Sequence, residues 1–256
     1  MKILVCLKQV PEPESHLQWL EDGGVAPVPG ARFQMGSLDA QALEWALTLA
    51  QDHQGISVEA VCAGPARAAA VLERARGMGA AQACHILTPE GAGPPALTLA
   101  TWLAAWAGPR AYDLILTGGM SQDAMRGQVG PLLAGLLGLN WATLAVDMRL
   151  TDQGRLHLER EVEAGRRQAL ELDLPALVTV QSSPREPRYP SLSGLLKAKA
   201  SPPQVVEATG LPPRAPQVAA LGARRPQRRR AGRALNGTLA QQAQELCAIL
   251  RQRGLL

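Results

Sequence analysis

The sequence lacks paired cysteines and clustered metal-binding side chains. Its four cysteines, Cys6, Cys62, Cys84 and Cys247, are far apart and form no CxxC pair, and its four histidines are equally scattered. Three of the cysteines lie within apolar runs, where a thiol packs as a small hydrophobic group. The sequence therefore predicts neither disulfide bonds nor a zinc or other metal site.

Long apolar runs are also missing. No run approaches the roughly 18 residues that a membrane-spanning helix requires. The N-terminal segment MKILVCLKQVPEP contains a short apolar run and no small-residue cleavage site, so we interpret it as a buried first strand and not as a signal peptide. These features predict a cytoplasmic protein that does not insert into a membrane.

Aromatic side chains are scarce, with one Phe, two Tyr and five Trp in 256 residues. Six arginines, by contrast, crowd between residues 224 and 233. A nucleic-acid-binding protein usually adds stacking aromatics or a reading helix to such a basic patch, and neither is visible here. Nucleic-acid binding, which would fall steeply with salt, is kept only as an alternative.

Apolar runs alternate with helical patterns through the first 140 or so residues. The patterns predict strands at residues 3–7, 58–62, 83–87 and 113–116, and helices at 38–50, 66–78, 97–106 and 131–137. Strands that alternate with helices pair in parallel, because each crossover needs a covering helix. The sequence therefore predicts an α/β fold with a doubly wound, mostly parallel sheet.

The second half of the chain has a different pattern. Two β-rich runs, residues 143–150 and 156–162, flank Asp152-Gln153-Gly154, which is a hairpin signal, and a further strand is predicted at 176–181. The stretch PREPRYPSLSGLLKAKA is too rich in proline to predict a regular element, and residues 201–233 predict an extended arm. An amphipathic helix is predicted at 238–250. We expect an α/β nucleotide-binding domain over residues 1–200 and an arm with a helix over residues 201–256.

One polar segment between a strand and a helix predicts a binding site. Residues 114–138 read LILTGGMSQDAMRGQVGPLLAGLLG. Ligands of parallel sheets bind beyond the carboxyl ends of the strands, where a helix N-terminus suits phosphate. Gly118 and Gly119 permit a close backbone approach, Asp123 can accept from a ribose hydroxyl, Arg126 can face a phosphate and Gln128 can donate. The segment matches neither GxGxxG nor GxxxxGK[ST], however, so an ordinary glycine-rich connector remains an equal alternative.

Five stretches of the chain resemble the beta subunit of electron-transfer flavoproteins. They are KILVCLKQVPEPE, VCAGPARAAAVLERARGMGA, YDLILTGGMSQDAMRGQVGPLLAGLLGL, LEREVEAG, and LPALVTVQ followed by EPRYPSLSGLLKAKA. The combination of SQDAMRGQVGP with PRYPSL-x-G-L-x-KAK is specific. The resemblance implies a heterodimer whose alpha subunit holds most of a shared FAD, while the beta subunit binds AMP or a second FAD. It also implies an electron carrier without catalytic residues of its own, which receives electrons from flavin dehydrogenases and passes them to a membrane quinone reductase or another acceptor.

The resemblance places nucleotide contacts at the ends of the first two strands, at the start of the first helix and in the loop after the fourth strand. By position these contacts are Cys6, Leu38, Asp39, Ala63, Gly118, Gly119, Met120, Ser121, Asp123, Arg126, Gly127, Gln128 and Val129. The family commonly has Asn-Pro where this chain has Gly36-Ser37. Electron-bifurcating members often have a DGDTAQ-like segment where this chain has DAMRGQ, which favours AMP or a vacant site over a second FAD. Plain core packing is the alternative for Cys6 and Ala63.

The resemblance also implies partner contacts. Leu192 matches a protruding leucine of the family's recognition loop, residues 184–200, which inserts into the partner dehydrogenase, and an apolar anchor of this kind can be a hot spot. Lys197 and Lys199 fit electrostatic steering toward an acidic partner. Arg160 and Glu161 match a pair near the interface with the alpha subunit, where a charge-assisted contact can hold one domain orientation. The C-terminal arm, the arginine cluster and the final helix match a segment that wraps the alpha subunit.

These residues also have an alternative interpretation in which they bind no partner. Leu192 can pack under a turn, and the charged side chains can be solvated surface groups. An alternative function also stays open, namely a stand-alone adenine-nucleotide-binding enzyme or sensor of the same fold. Such an enzyme would need a phosphate-cleaving motif or metal-binding carboxylates near Gly118.

Overall fold

The chain forms strands β1 to β13 and helices α1 to α6 within the residues that the structure, a computed structural model, describes, which are 1–20, 24–91, 93–215, 217–218 and 232–256. The strands are β1 (Lys2–Leu7), β2 (Gln9–Pro11), β3 (Leu17–Trp19), β4 (Val25–Pro27), β5 (Phe33–Met35), β6 (Ser57–Gly64), β7 (Gln82–Leu87), β8 (Leu114–Gly118), β9 (Asn140–Leu150), β10 (Leu156–Val162), β11 (Arg166–Leu172), β12 (Ala176–Val180) and β13 (Gln204–Glu207). The helices are α1 (Ser37–Asp52), α2 (Ala69–Met78), α3 (Ala96–Ala107), α4 (Val129–Leu137), α5 (Leu192–Ala200) and α6 (Leu239–Gln252).

A nine-stranded sheet organises the larger of two units into which the chain divides. Its order is β11-β10-β9-β12-β8-β1-β6-β7-β13. Neighbours from β9 across to β13 pair in parallel, whereas β9, β10 and β11 form an antiparallel extension. Two further ribbons, β2 with β5 and β3 with β4, lie between β1 and α1 in the sequence.

The order of the strands creates a switch point beside β1. From β1 the chain continues to β6 and β7 on one side, and then it returns to β8 on the other side of β1. A doubly wound sheet of this kind opens a crevice at the carboxyl ends of the two strands where the direction reverses. The predicted fold class is therefore confirmed, and the crevice lies at the ends of β1 and β8.

Helices cover both faces of the parallel strands. In β1, Ile3 and Val5 pack into one apolar cluster with α1 and α2, while Leu4 and Cys6 pack into a second cluster with α3 and α4. Because both faces are covered, the strand is apolar without alternation, which is typical of a central parallel strand. The continuous run ILVCL is explained by this double coverage.

The hairpin predicted around Asp152-Gln153-Gly154 is confirmed, since β9 pairs with β10 in antiparallel fashion. The prediction that PREPRYPSLSGLLKAKA forms no regular element is wrong from Leu192 onward, where α5 begins. The last proline of the stretch is Pro190, so no proline interrupts the helix. Ser191 caps it by accepting a hydrogen bond of 3.0 Å from the Gly194 N–H. Within the predicted arm, β13 adds an edge strand to the sheet beside β7.

The predicted C-terminal helix is confirmed as α6, in the smaller unit. Thr238 and Gln241 form a capping box at its start. Arg233 forms an ion pair with Glu245 of the helix, whereas the other five arginines of the predicted cluster lie outside the described residues. No helix in the described ranges is both long and apolar enough to cross a bilayer. The same ranges contain no group of three His, Cys, Asp or Glu side chains that could hold a metal ion.

Substitutions at two glycines of α4 can measure how tightly this helix packs on the strands beside the switch point. A Cβ at Gly130 would lie 2.5 Å from Thr179 Cγ2 and 3.0 Å from Thr117 Oγ1, whereas a Cβ at Gly135 would meet nothing within 4 Å. We expect Gly130→Ala to lower the free energy of unfolding by about 1–3 kcal/mol through overpacking. Gly135→Ala should raise it by up to about 1 kcal/mol through helix propensity. Urea unfolding followed by circular dichroism measures both, and equal effects of the two variants would contradict the described packing.

Candidate functional site

The candidate site lies where β1 and β8 end side by side. The two strands pair in parallel up to Cys6 and Thr117, so Lys8 and Gly118 leave the sheet as neighbours. Helix α1 begins above them, after the β2–β5 ribbon. The structure thus brings the start of α1 and the loop after β8 together at the carboxyl ends of these two central strands.

A buried carboxylate joins these elements. Asp39, in the first turn of α1, is 7% exposed. Its Oδ2 accepts a hydrogen bond of 2.8 Å from the Lys8 N–H, and its Oδ1 accepts one of 3.0 Å from the Gly118 N–H. Gly36 adds a 2.9 Å hydrogen bond from its N–H to the Lys8 carbonyl. The start of α1 is therefore fixed to the ends of both central strands.

The environment of Asp39 perturbs its titration. Burial raises the pKa of this carboxyl to about 7. The hydrogen bonds from Lys8 and Gly118 and the charge of Lys8 lower the pKa and so offset part of this rise. The negative charge of Asp123 adds to the upward shift of the pKa. Asp39 therefore changes its charge near neutral pH, at the point where the strands meet the helix.

A second carboxylate holds the loop after β8. Lys8 Nζ lies 2.7 Å from both carboxylate oxygens of Asp123 and 3.3 Å from Ser121 Oγ. Burial alone would raise the pKa of Asp123, but the hydrogen bonds from Lys8 and Ser121 and the Lys8 charge hold it below its usual value. The neighbouring Gln122 Oε1 accepts a 2.9 Å hydrogen bond from the Ser37 N–H. Asp123, expected to face a ribose, is thus engaged by Lys8 in this structure.

Sequence reasoning missed both Lys8 and Gln122 as members of this site. Lys8 directly follows β1. A lysine immediately after a strand predicted to be central could have indicated that Lys8 belongs to the site. Gln122 left no local signal, because its partner Ser37 lies 85 positions away in the sequence.

Gly118, the last residue of β8, and Gly119, which follows it, have a packing role that the sequence did not reveal. A Cβ at Gly118 would collide with the Asp39 carboxylate and would lie 2.9 Å from the Asp39 amide nitrogen. A Cβ at Gly119 would lie 2.6 Å from Leu144 Cδ2 and 3.2 Å from the Val180 carbonyl oxygen. Both positions therefore require glycine because other parts of the protein approach them closely.

A cleft of about 270 Å³ opens beside this loop. It is lined by Gly119, Met120, Met125, Arg126 and Gly127 of the loop, by Thr143 and Leu144 of β9, and by Thr179 of β12. Its volume is close to the lower limit of ordinary ligand pockets. Arg126 is exposed and forms no ion pair within the described residues, so its charge is available to an anion. Gln128 and Val129 follow at the start of α4, whose first N–H groups also suit an anion.

Another cleft, of about 310 Å³, lies at the ends of β6 and β7. Its lining includes Glu90 and Glu207 and no basic side chain. Glu207 repels a phosphate, and Glu90 is already paired with Arg67, so the smaller cleft beside the unpaired Arg126 suits an anionic ligand better.

Four of the thirteen expected nucleotide contacts, Gly119, Met120, Arg126 and Gly127, line the 270 Å³ cleft, and the other nine do not. Among those nine, Cys6 is buried at the end of β1, where burial raises the pKa of its thiol far above the usual value. Ala63 is partly buried near the end of β6. Leu38 lies beside Asp39 at the start of α1, and its carbonyl carbon is 3.0 Å from the position of a Gly118 Cβ.

The expected partner residues lie on two surfaces. Leu192 is 75% exposed at the start of α5, and Lys197 and Lys199 are exposed on the same helix. On β10, Arg160 donates hydrogen bonds to Gln168 Oε1 at 2.9 Å and to Thr143 Oγ1 at 3.3 Å. The adjacent Glu161 is exposed and accepts a 3.3 Å hydrogen bond from the Gln181 side chain.

A family model and individual relatives with similar sequences indicate the same protein family. A family model described as "Electron transfer flavoprotein domain" matches residues 30–211. The chain is 32% identical over 256 residues to "Electron transfer flavoprotein subunit beta" of Bacillus subtilis (strain 168), covering 98% of each chain. It is 31% identical over 211 residues to the protein of the same name from Homo sapiens, covering 81% of each. It is 30% identical over 204 residues to "Caffeyl-CoA reductase-Etf complex subunit CarD" of Acetobacterium woodii, covering 79% of this chain and 76% of that protein.

Asp39 makes a pH-dependent contribution to stability. Its pKa rises from 3.8 to about 7 in the folded protein, so the folded state binds the proton more tightly than the unfolded state. The contribution of Asp39 is therefore fully present below about pH 4 and is lost as the pH rises to about 7. We expect the unfolding free energy of the wild type, relative to that of Asp39→Asn, to fall across this window by up to about 1.4 kcal/mol per pH unit. Urea unfolding at several pH values measures this difference, and a difference that stays constant or rises with pH would contradict the assignment.

Proposed function

The chain belongs to the electron transfer flavoprotein family, among the beta subunits, and we propose that it binds AMP in the cleft beside Arg126. The cleft of about 270 Å³ carries this proposal. It lies against the loop that follows β8, one of the two strands at the switch point, and it extends to β12 and β9. Parallel α/β folds bind nucleotides at the carboxyl ends of such strands, and an unpaired guanidinium borders the cleft. FAD has more than twice as many non-hydrogen atoms as AMP, so the volume favours the mononucleotide over a second FAD.

The contacts divide by chemistry. Arg126 would hold the phosphate together with the backbone N–H groups at Gln128 and Val129. The loop residues Met120 and Met125, 38% and 68% exposed, supply adaptable apolar surface for an adenine ring. The remaining loop positions, with Leu38 and Asp39, would position the loop, whereas Cys6 and Ala63 lie outside this cleft.

The electron-carrying FAD would be shared with an alpha subunit. When bound, FAD supplies the electron transfer itself, and this chain contributes binding and positioning. Arg160 and Glu161 on the hairpin surface, and the C-terminal segment 201–256, would contact the alpha subunit. In α6, Leu239 and Leu246 are 86% and 47% exposed, which fits an apolar stripe awaiting a partner.

Electrons would arrive from a flavin dehydrogenase that docks on α5 and would leave to a membrane quinone reductase or another acceptor. Leu192 would be the docking anchor, and Lys197 and Lys199 would steer an acidic partner. The name of the Acetobacterium relative places it in one complex with a caffeyl-CoA reductase. This name supports oxidoreductases of CoA thioesters as the first class of redox partner to test, and acyl-CoA dehydrogenases are the members of that class that donate electrons.

Both carboxylates near Gly118 are engaged by protein groups. Asp39 accepts from two backbone N–H groups, and Asp123 pairs with Lys8. This geometry does not favour the alternative of a stand-alone enzyme that cleaves a nucleotide with those carboxylates.

Co-expression with the alpha subunit tests the cofactor proposal. We expect a heterodimer with flavin absorbance from which acid extraction and mass spectrometry recover one FAD and one AMP. Arg126→Gln should lower the AMP content roughly tenfold, because a charged hydrogen bond to phosphate is lost, while FAD content is unchanged.

Arg166→Gln is the matched control for that experiment, since Arg166 is an exposed arginine of β11 outside the cleft. It should leave both nucleotide contents unchanged. Recovery of two FAD molecules, or equal loss of AMP in both variants, would refute AMP binding beside Arg126.

A substitution in α5 tests the docking anchor. Leu192→Ala should raise the KM of the heterodimer for a reduced acyl-CoA dehydrogenase roughly tenfold, because an exposed apolar anchor of this kind contributes a hot spot. Flavin and AMP content should not change. Leu136→Ala removes a leucine that is 44% exposed on α4 and serves as the control. A KM that is unchanged in Leu192→Ala would exclude the anchor role.

A further inference from the structure

Tyr189 and the first turns of α5 present an apolar surface to solvent. Tyr189, Leu192 and Leu196 are 87%, 75% and 61% exposed. We call these three side chains the docking surface. Tyr189 lies in the connection from β12 to α5, which contains three prolines and no regular element, and Leu192 and Leu196 lie in α5. A connection of this kind has no ladder or helical hydrogen bonds of its own to fix it, so other contacts must hold the surface in place.

A buried carboxylate on α1 supplies the central contact. Glu44 is 3% exposed, and a carboxylate in such a place requires a partner. Arg188 provides it in three ways. Its Nε lies 2.9 Å from Glu44 Oε2, its Nη2 lies 2.7 Å from Oε1, and its backbone N–H donates to Oε2 at 3.0 Å.

The geometry of this pair fixes both the side chain and the backbone at Arg188. A guanidinium fork on a carboxylate is directional as well as strong, and lysine cannot reproduce it. The Arg188 Nη2 also donates to Gln51 Oε1 at 3.3 Å. The residue next to Tyr189 is thereby tied to α1, which lies 144 positions earlier in the chain.

Two further contacts fix the ends of the segment. At its beginning, Trp45 Nε1 donates a hydrogen bond of 2.9 Å to the Ser182 carbonyl. At its end, α5 packs closely on α2, since a Cβ at Gly77 would lie 2.8 Å from Leu195 Cδ2 and a Cβ at Gly194 would lie 2.6 Å from the Gly77 carbonyl oxygen. The Glu44–Arg188 pair lies between these two attachments.

We propose that Glu44 and Arg188 are positioning residues that hold the docking surface in the conformation that a partner flavin dehydrogenase binds. The proposal rests on the docking role of Leu192 proposed above, and it adds which contacts hold the docking surface in place. A surface that is already ordered loses less conformational freedom on binding, which strengthens association. Buried ion pairs contribute little net stability compared with apolar packing, and they can specify one arrangement.

The titration of the pair is consistent with a permanent attachment. Burial alone would raise the pKa of Glu44, but the hydrogen bonds and charge of Arg188, with the charge of Arg185, hold it below its usual value. The pKa of Arg188 is raised, chiefly by its hydrogen bonds to Glu44. Both groups are therefore charged at neutral pH.

The test uses the heterodimer with FAD bound and an acyl-CoA dehydrogenase, reduced by its own substrate, from which the wild type accepts electrons. Glu44→Gln removes the charge of the carboxylate, and Arg188→Lys keeps the positive charge but removes the fork. Both should raise the KM for the dehydrogenase roughly tenfold, with kcat and flavin content close to those of the wild type. Because Glu44→Gln leaves a guanidinium without its partner, Arg188→Lys keeps the test valid if the first variant fails to fold.

Arg149→Lys is the matched control, since Arg149 is an exposed arginine of β9, outside residues 184–200, whose side chain forms no hydrogen bond or ion pair within the described residues. It should leave the KM unchanged.

Amide hydrogen exchange gives a readout that does not depend on the dehydrogenase. The Arg188 and Gly194 N–H groups should exchange faster in both pair variants than in Arg149→Lys, with the rest of the sheet unchanged.

Leu192→Ala separates the two levels of the proposal. A raised KM in Leu192→Ala together with an unchanged KM in Arg188→Lys overturns the positioning role and leaves the docking role intact. An unchanged KM in Leu192→Ala overturns the docking role and with it the reason for the positioning. Unchanged amide exchange in Arg188→Lys also overturns the positioning role, and a raised KM with faster local exchange in the pair variants supports it.

Discussion

The Asp39 carboxylate is the contact on which the candidate site depends. At the ends of parallel strands the ladder of hydrogen bonds stops, and the last N–H groups need other acceptors. Asp39 accepts from the N–H groups of Lys8 and Gly118 at once. It thereby joins the two strands at the switch point and fixes the start of α1 above them. A carboxylate with two oxygens and no donor of its own is suited to this task when ionised, although burial opposes its charge.

The loop after β8, which is proposed to bind the nucleotide and is called the nucleotide loop below, is consequently shaped by contacts within the protein. Gly118 lies against Asp39, Gly119 lies against Leu144, and Lys8 holds Asp123. Sequence reasoning assigned the two glycines to the ligand, whereas the structure gives them a packing role within the protein. The two roles are compatible, since a loop that is already ordered presents its free backbone groups and Arg126 at lower entropic cost.

The sequence was sufficient for the elements and insufficient for the contacts between them. Strand and helix patterns are local, so β1, α1 and the hairpin of β9 and β10 were predicted to within a few residues. Helix α5 was missed because three prolines precede it, and their effect ends at Pro190. The pairs that shape the site and the docking surface join positions far apart in the sequence. Asp39 and Gly118 are separated by 79 positions, Lys8 and Asp123 by 115, and Glu44 and Arg188 by 144. A local pattern contains no information about which of several acidic side chains pairs with which basic side chain.

Helix α1 links these two regions. Its first turn carries Asp39, which fixes the nucleotide loop, and Glu44 follows five residues later, about 7.5 Å further along the axis, where it fixes the connection that leads to the docking surface. A helix held by buried charged and apolar contacts does not slide along the sheet, because any shift would leave a buried carboxylate without its hydrogen-bond partners. One rigid element therefore sets the spacing between the proposed AMP cleft and the proposed docking surface. In the proposed electron-transfer complex, any movement that brings the flavin toward its donor would then take place outside this sheet.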